Sequence, residues 1–305
     1  MKNENSIGHL AACITILIWG TTFISTKILL SAFKPVEILF FRFIMGFLAL
    51  ALINPHSLKL TDKKHEITFA MAGLCGICLY YLLENIALTY TLASNVGVIV
   101  STVPFFTAIL THIFFKGEEK LSINFFAGFI TAMFGICLIS FNGFKLQINI
   151  IGDILAFAAA FVWACYSVLT RKISSYGYNV LLATRREIFY GILFMIPTFF
   201  IFDFKLDLIR FSNPVYLFNI IFLGLGASAF CFVSWNFAVK ILGAVKTSVY
   251  IYMVPVITVV TSALILNEKI TMFSFLGTVL TIIGLFISES NLKIKKRGNE
   301  NEFTE

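Results

Sequence analysis

Long apolar runs separated by short polar turns make up almost the whole chain from Ile7 to Ser290. A helix needs about 17–25 mostly apolar residues to span a bilayer, and ten of the runs reach that length. Turn-forming pairs such as Lys34-Pro35 and Asn213-Pro214 separate them. The predicted helices cover residues 7–30, 36–54, 67–89, 93–115, 121–141, 151–171, 180–202, 215–239, 245–266 and 272–290. The pattern therefore predicts an all-α integral membrane protein with ten transmembrane helices.

Composition agrees with a lipid environment. The chain has 59% hydrophobic residues and 13% charged residues, whereas soluble domains carry about 25% charged residues. The net charge of +7 could indicate binding to nucleic acid, but no basic patch lies on a foldable soluble module. We therefore expect the lipid bilayer and no nucleic acid as a partner.

The second half of the chain repeats the first. Asn85 precedes Pro104 by 19 positions, and Asn236 precedes Pro255 by the same 19 positions. Four upstream residues, Gly8, Trp19, Lys27 and Arg42, are matched 144 positions later by Gly152, Trp163, Arg171 and Arg186. Internal repeats of this kind indicate one structural unit used twice. We expect five-helix units at residues 6–141 and 150–290, followed by a charged cytoplasmic tail at 291–305.

An odd number of spans in each unit makes the second unit enter the membrane from the opposite face. The two units are therefore expected to be inverted-topology repeats, an arrangement typical of secondary transporters. Most Lys and Arg residues fall on the face that carries both termini, and such residues concentrate on the cytoplasmic side. We expect a multi-pass protein of the bacterial plasma (inner) membrane with both termini in the cytoplasm.

Polar and aromatic residues at repeat-related positions are the candidates for a substrate site. Within the first helix, Thr15, Trp19, Thr22 and Thr26 share one face. Such a stripe either lines a cavity or forms hydrogen bonds between helices. Because the repeats favour a central cavity, we predict that substrate binds to Trp19, Thr22, Glu84, Asn85, Trp163, Tyr166, Trp235, Asn236 and Tyr250.

Glu84 is the most informative single residue. A charge at the bilayer centre costs about 2.5–3.5 kcal/mol on insertion scales, so this carboxyl must be protonated, paired or exposed to water. Three interpretations remain open: contact with a substrate amine, coupling to protons, and a neutral acid that only packs. Its repeat partner is Trp235, so any site that includes Glu84 is asymmetric.

Two further pairs are related by the repeat. Pro104 and Pro255 lie about ten residues into their helices, where proline removes a hydrogen bond and bends the helix. They are predicted to serve in gating, with a fixed bend as the alternative. Arg42 and Arg186 are predicted as entrance charges that either extend towards head groups or bind an anionic group of the substrate.

Taken together, these motifs resemble the EamA family of the drug/metabolite transporter (DMT) superfamily. The resemblance rests on residues 19–23 (Trp-Gly-Thr-Thr-Phe), Arg42 and Pro104 in the first unit, and on residues 235–238 (Trp-Asn-Phe-Ala), Pro255 and Asn267-Glu268-Lys269 in the second. It covers residues 6–290. The resemblance implies two inverted five-helix halves and a central cavity lined by the first, third, fourth, sixth, eighth and ninth helices. It also implies transport of small metabolites without nucleotide hydrolysis.

The sequence therefore predicts a secondary transporter, and more specifically an exporter of small metabolites such as amino acids or related compounds. The alternatives are a membrane-embedded enzyme and a passive small-solute channel. No metalloprotease, serine-hydrolase or phosphate-loop motif is present in the sequence, so we expect no enzymatic activity, no metal and no cofactor.

Overall fold

Ten helices form the described part of the protein. The structure is a computed structural model that describes residues 2–91, 93–115, 123–140, 149–266 and 271–290, and these residues contain no strand. The helices are α1 Lys2–Leu29, α2 Pro35–Ile53, α3 His65–Tyr90, α4 (Ala93–Val100 and Val103–Phe114), α5 Ile123–Ser140, α6 Ile150–Ser175, α7 Val180–Ile201, α8 Pro214–Leu242, α9 (Ala244–Val249 and Met253–Leu266) and α10 Met272–Ser290. The prediction of an all-α protein with ten helices is confirmed. The predicted tail at 291–305 lies outside the described residues.

Several of these helices match the thickness of a bilayer. By length and composition alone, six are long and apolar enough to cross a membrane: residues in α1, α2, α3, α4, α6 and α8. Apolar helices of shorter length occur at Ile123–Leu138, Ala244–Thr258 and Phe275–Ser288. Helix α7 is long but carries Arg185, Arg186 and Glu187 near its start. Exposed Leu, Ile and Phe side chains along the helices suit a hydrocarbon solvent rather than water.

The two halves share their irregularities as well as their helices. A π-helical stretch interrupts α3 at Gly73–Leu79, and another interrupts α8 at Phe222–Phe230. Helix α4 breaks at residues 101–102, and α9 tightens into a 3-10 turn at Tyr250–Tyr252. Both breaks lie just before Pro104 and Pro255, because a proline ring clashes with the carbonyl four residues earlier and lacks a donor. The helices are therefore interrupted next to both prolines, and a role in gating stays a prediction.

Contacts between the halves occur in equivalent pairs. Helix α1 packs on α8 as α6 packs on α3, and α2 packs on α8 as α7 packs on α3. Helices α2 and α7 pack on each other, and so do α5 and α10. Each contact either has an equivalent contact in the other half or joins two equivalent helices. The halves are therefore related by an approximate two-fold axis.

The pairing of α5 with α10 shows that the repeats are inverted. Gly128, near the start of α5, faces Gly284 and Ser288 near the end of α10, whereas Gly135 faces Gly277 and Thr281. The two helices therefore run antiparallel. Since they are equivalent in sequence, the axis that relates them lies across the helices, as inverted-topology repeats require. The glycines permit this close approach because a side chain at Gly128, Gly135 or Gly284 would meet the neighbouring backbone.

Candidate functional site

All three tryptophans of the chain meet at the centre of the fold. The ring of Trp19 on α1 lies 5.1 Å from that of Trp163 on α6 and 5.1 Å from that of Trp235 on α8. Trp19 and Trp163 are repeat partners, so their edge-to-face contact marks the two-fold axis. A second equivalent pair, Tyr81 and Phe232, lies 6.1 Å apart between ring centroids. The axis therefore runs through a cluster of aromatic rings.

A cavity borders this cluster. Its empty space, including the open mouth, is about 400 Å³. Helices α1, α3, α4, α6 and α9 line it, through Ile16, Trp19, Thr22, Phe23, Tyr80, Tyr81, Glu84, Val100, Trp163, Ile251 and Val254. Two of the lining pairs, Trp19 with Trp163 and Val100 with Ile251, are repeat partners. The cavity, called here the central cavity, therefore lies across the boundary between the two halves.

Val100 and Ile251 reach the central cavity where their helices are interrupted. Each lies four residues before a proline, Pro104 in α4 and Pro255 in α9. That is the position whose carbonyl the proline ring displaces from the helical ladder. The prolines therefore shape the wall of the cavity without touching its interior.

Glu84 supplies the acidic group of the central cavity. Its side chain is 3% exposed, and its Oε2 atom has no hydrogen-bond partner among the described residues. The Nε1 atom of Trp163 is also buried without a partner. In contrast, Trp19 donates to the carbonyl of Ala227 at 3.1 Å, and the Thr22 hydroxyl donates to the carbonyl of Trp19 at 2.7 Å. The wall thus presents one unpaired acceptor and one unpaired donor between aromatic faces.

The asymmetry predicted for Glu84 has a structural consequence. Its repeat partner Trp235 is 0% exposed and fills the equivalent space with an indole ring packed on Trp19. Trp235 therefore supports the cavity from behind and does not line it. The central cavity therefore has a carboxyl from the first half and no equivalent side chain from the second.

Arg42 lies inside the fold and not at an entrance. Its side chain is 1% exposed, and its Nε atom donates to the Ser228 hydroxyl at 2.9 Å. The guanidinium lies 4.2 Å from the centre of the Tyr81 ring, in cation–π geometry, and interacts electrostatically with Glu84. Arg42 is thus a buried positive charge behind the wall formed by Tyr81.

Arg186, its repeat partner, lies at the edge of the fold. It forms a bidentate ion pair with Glu66 at 2.9 and 2.6 Å and donates to the carbonyl of Leu58. A similar ion pair lies on the opposite face. There Arg210, in the α7–α8 connection, pairs with Glu37 of α2 at 2.8 Å. Arg186 therefore fastens the α2–α3 connection to α7, which is compatible with the predicted entrance position.

Three other predicted residues lie away from the central cavity. Asn85 is 0% exposed and donates to the carbonyl of Pro35 at 3.2 Å. The Tyr250 hydroxyl lies 2.5 Å from His9 Nδ1, because the 3-10 turn directs it towards the start of α1. Asn236 lines a different cavity, between α6, α7 and α8. Of the predicted residues, Trp19, Thr22, Glu84 and Trp163 line the central cavity. Asn85, Asn236 and Tyr250 do not.

Tyr166 connects the two regions. Its ring lies 5.0 Å from that of Trp163. Its hydroxyl proton is shared between two acceptors, Asn236 Oδ1 at 2.8 Å and Glu187 Oε2 at 3.1 Å. Glu187 is 0% exposed and was not predicted as a site residue. Tyr80 and Tyr81, which line the central cavity, were also missed, although Tyr80 precedes Glu84 by one helical turn. That spacing places both on one face of α3 and could have identified Tyr80.

Two inverted five-helix repeats with a cavity at their boundary define a class of multi-pass membrane transporters. The sequence model of the EamA-like transporter family matches residues 6–141 and again residues 150–289. The chain belongs to this family, and the predicted resemblance to EamA proteins of the DMT superfamily is confirmed.

Individual relatives agree with this assignment. An uncharacterized transporter of Archaeoglobus fulgidus is 30% identical over 298 residues, covering 93% of this chain and 98% of the relative. A protein of Escherichia coli K12 named "probable amino-acid metabolite efflux pump" is 27% identical, covering 93% of this chain and 95% of that protein. A solved crystal structure has the same fold, with a TM-score of 0.73, 18% identity and coverage of 93% of this chain and 97% of the other.

Proposed function

We propose that this protein is a secondary transporter that exports small amine-bearing metabolites, such as amino acids or related compounds, across the bacterial plasma membrane by alternating access. The observation that carries the proposal is the position of the central cavity. It lies at the boundary between inverted repeats, where relative movement of the two halves changes which face it opens to. The name of the Escherichia coli relative supports an amino-acid-related substrate.

The wall of the central cavity suits a protonated amine. Aromatic faces attract cations, by about 0.5–1 kcal/mol at exposed sites and about 2 kcal/mol when desolvated. Trp19, Trp163, Tyr80 and Tyr81 supply such faces, and the free Oε2 atom of Glu84 accepts a hydrogen bond. The positive charge of Arg42, behind Tyr81, offsets the negative charge of the Glu84 carboxylate, so the net charge of this region is close to zero. We therefore assign Glu84 to the substrate amine in preference to a purely structural role.

Export defines an orientation. An even number of helices returns the chain to the face where it began, so both termini lie on one face. We place that face in the cytoplasm. The α2–α3 connection lies on that face and carries Lys59, Lys63 and Lys64, in agreement with the excess of positive charge on cytoplasmic loops. The Arg186–Glu66 ion pair then lies near the cytoplasmic surface, and the Arg210–Glu37 pair near the outer one.

Transport can be tested in two steps. Comparing the metabolites in the medium of cells with and without overexpression identifies the exported compound. The purified protein is then placed in proteoliposomes that are loaded with this compound, and uptake of labelled compound from outside is measured. A transporter gives saturable uptake and counterflow, whereas a passive channel gives flux that does not saturate. Equal flux in protein-free liposomes would reject both.

A further inference from the structure

A second buried carboxyl lies outside the central cavity. Glu187 on α7 is 0% exposed, and its Oε2 atom accepts hydrogen bonds from Asn236 at 2.9 Å and from Tyr166 at 3.1 Å. Its Oε1 atom has no partner among the described residues. One oxygen of this carboxyl is therefore hydrogen-bonded, and the other is buried without a partner among the described residues.

No cation neutralises this carboxyl within the described part of the chain. Its neighbour Arg186 is engaged with Glu66. The titratable group that faces it from α6 is Tyr166, and α8 contributes Asn236 together with the exposed Lys240. Helix α3 packs at Gly73 against the backbone carbonyl of Glu187. Burying an ionised carboxylate without a paired charge is strongly unfavourable, so such a group stays neutral by holding a proton. Glu187 is therefore expected to be protonated in this conformation.

A second cavity reaches Glu187. It has about 270 Å³ of empty space including its mouth, and its wall comes from α6, α7, α8 and the turn between α6 and α7. The wall residues are Thr170, Ile173, Ser174, Tyr178, Val180, Ala183, Glu187, Asn236 and Lys240. It extends from Glu187 to Tyr178 in the α6–α7 turn and to the exposed Lys240. The hydroxyl groups along this wall suit water, and water is sufficient to deliver a proton.

Tyr166 links this carboxyl to the central cavity. Its hydroxyl is hydrogen-bonded to Glu187 and Asn236, and its ring packs on Trp163. Ionisation makes the oxygens of Glu187 stronger hydrogen-bond acceptors. The Tyr166 hydroxyl proton then turns from Asn236 Oδ1 towards Glu187 Oε2. The equivalent position of the first half holds no carboxyl, since the repeat partner of Glu187 is Phe43, which packs on Tyr81 and Phe232.

We infer that Glu187 is a proton-binding site that is reached through the second cavity, and that its proton controls the position of Tyr166 beside the central cavity. The step is a simple exchange: the carboxyl O–H bond breaks, the proton passes to water in the second cavity, and the Tyr166 hydroxyl proton, shared between Asn236 Oδ1 and Glu187 Oε2, shifts towards the new carboxylate. Substrate recognition at Glu84 and proton binding at Glu187 are thus assigned to different carboxyls. This inference goes beyond the proposed function because it needs no substrate to be tested.

The test uses the tryptophans as reporters, because all three lie in the cluster that Tyr166 touches. Intrinsic fluorescence of the purified full-length protein is recorded as a function of pH, with no solute added. We expect a pH-dependent transition in the wild type and in Glu84→Gln, and loss of that transition in Glu187→Gln. A transition that persists in Glu187→Gln, or that disappears in Glu84→Gln alone, overturns the inference.

A second measurement detects the carboxyl itself, beginning with the wild-type protein. Infrared difference spectra of the wild-type protein between low and high pH report the loss of a protonated buried carboxyl directly. We expect that band to be present in the wild type and in Glu84→Gln and absent in Glu187→Gln. The variant Ser174→Phe obstructs the second cavity without replacing the carboxyl. In this variant the infrared carboxyl band is expected to change more slowly after a pH jump. An unchanged rate in this variant, or no carboxyl signal in the wild type, contradicts the proposal.

Discussion

Gly284→Ala is expected to destabilise the protein severely although it adds a single methyl group. The added carbon would lie 2.5 Å from the backbone nitrogen of Ala132 and 2.7 Å from the carbonyl oxygen of Gly128. Both neighbours are main-chain atoms of α5, so no side chain can rotate away. Overpacking of this kind typically costs about 1–3 kcal/mol, and separating α5 from α10 also loosens the Gly135–Gly277 contact.

The matched control is the same substitution at Gly97. A methyl group there would meet no atom within 4 Å, and alanine favours a helix over glycine by about 1 kcal/mol. Thermal unfolding of the detergent-solubilised protein is followed by size-exclusion chromatography after heating. The unfolding midpoint should be lower than that of the wild type for Gly284→Ala and should not be lower for Gly97→Ala. Equal midpoints for the two variants would show that the close antiparallel approach of α5 and α10 is not needed for stability.

Glu84→Gln is expected to abolish most transport while leaving the fold intact. Gln keeps the shape of the side chain but removes the charge-assisted contact with a substrate amine. Hydrogen bonds to charged groups contribute about 1.5–3 kcal/mol, which corresponds to a loss of roughly 10- to 100-fold. The measurement is the initial rate of counterflow in proteoliposomes, divided by the amount of monodisperse protein.

Thr89→Ala on the same helix is the control for this variant. Thr89 is exposed, and its hydroxyl only donates to the carbonyl of Ile86 one turn earlier. We expect counterflow close to that of the wild type. Wild-type rates in Glu84→Gln would remove Glu84 from the substrate site, although they would leave the transporter class intact.

The helices and their interruptions could be predicted from sequence because they depend on local rules. Lipid requires long apolar spans with internally satisfied backbones, and proline interrupts a helix wherever it lies. The repeat then predicted which elements correspond. For these reasons the ten helices and the breaks before Pro104 and Pro255 were recognisable without coordinates.

The rotation of each helix was harder to predict because distant packing sets it. Glu84 and Asn85 were both assigned to one cavity, yet adjacent residues on a helix point roughly 100° apart. Glu84 faces the cavity, so Asn85 faces α2. The same rule separates Trp235 from Asn236. Arg42 was expected at an entrance because its inward partners, Ser228 and Tyr81, are far away in the sequence.

The central claim is that one cavity between the two halves is exposed to each face of the membrane in turn. The most direct test places a single cysteine in that cavity, as Thr22→Cys, in a protein whose six natural cysteines have been replaced and whose transport is retained. A membrane-impermeant thiol reagent is then applied to one face or the other, with and without the exported compound. The account predicts labelling from both faces and protection by the compound in each case. Labelling from one face only, or labelling that the compound does not slow, would contradict it.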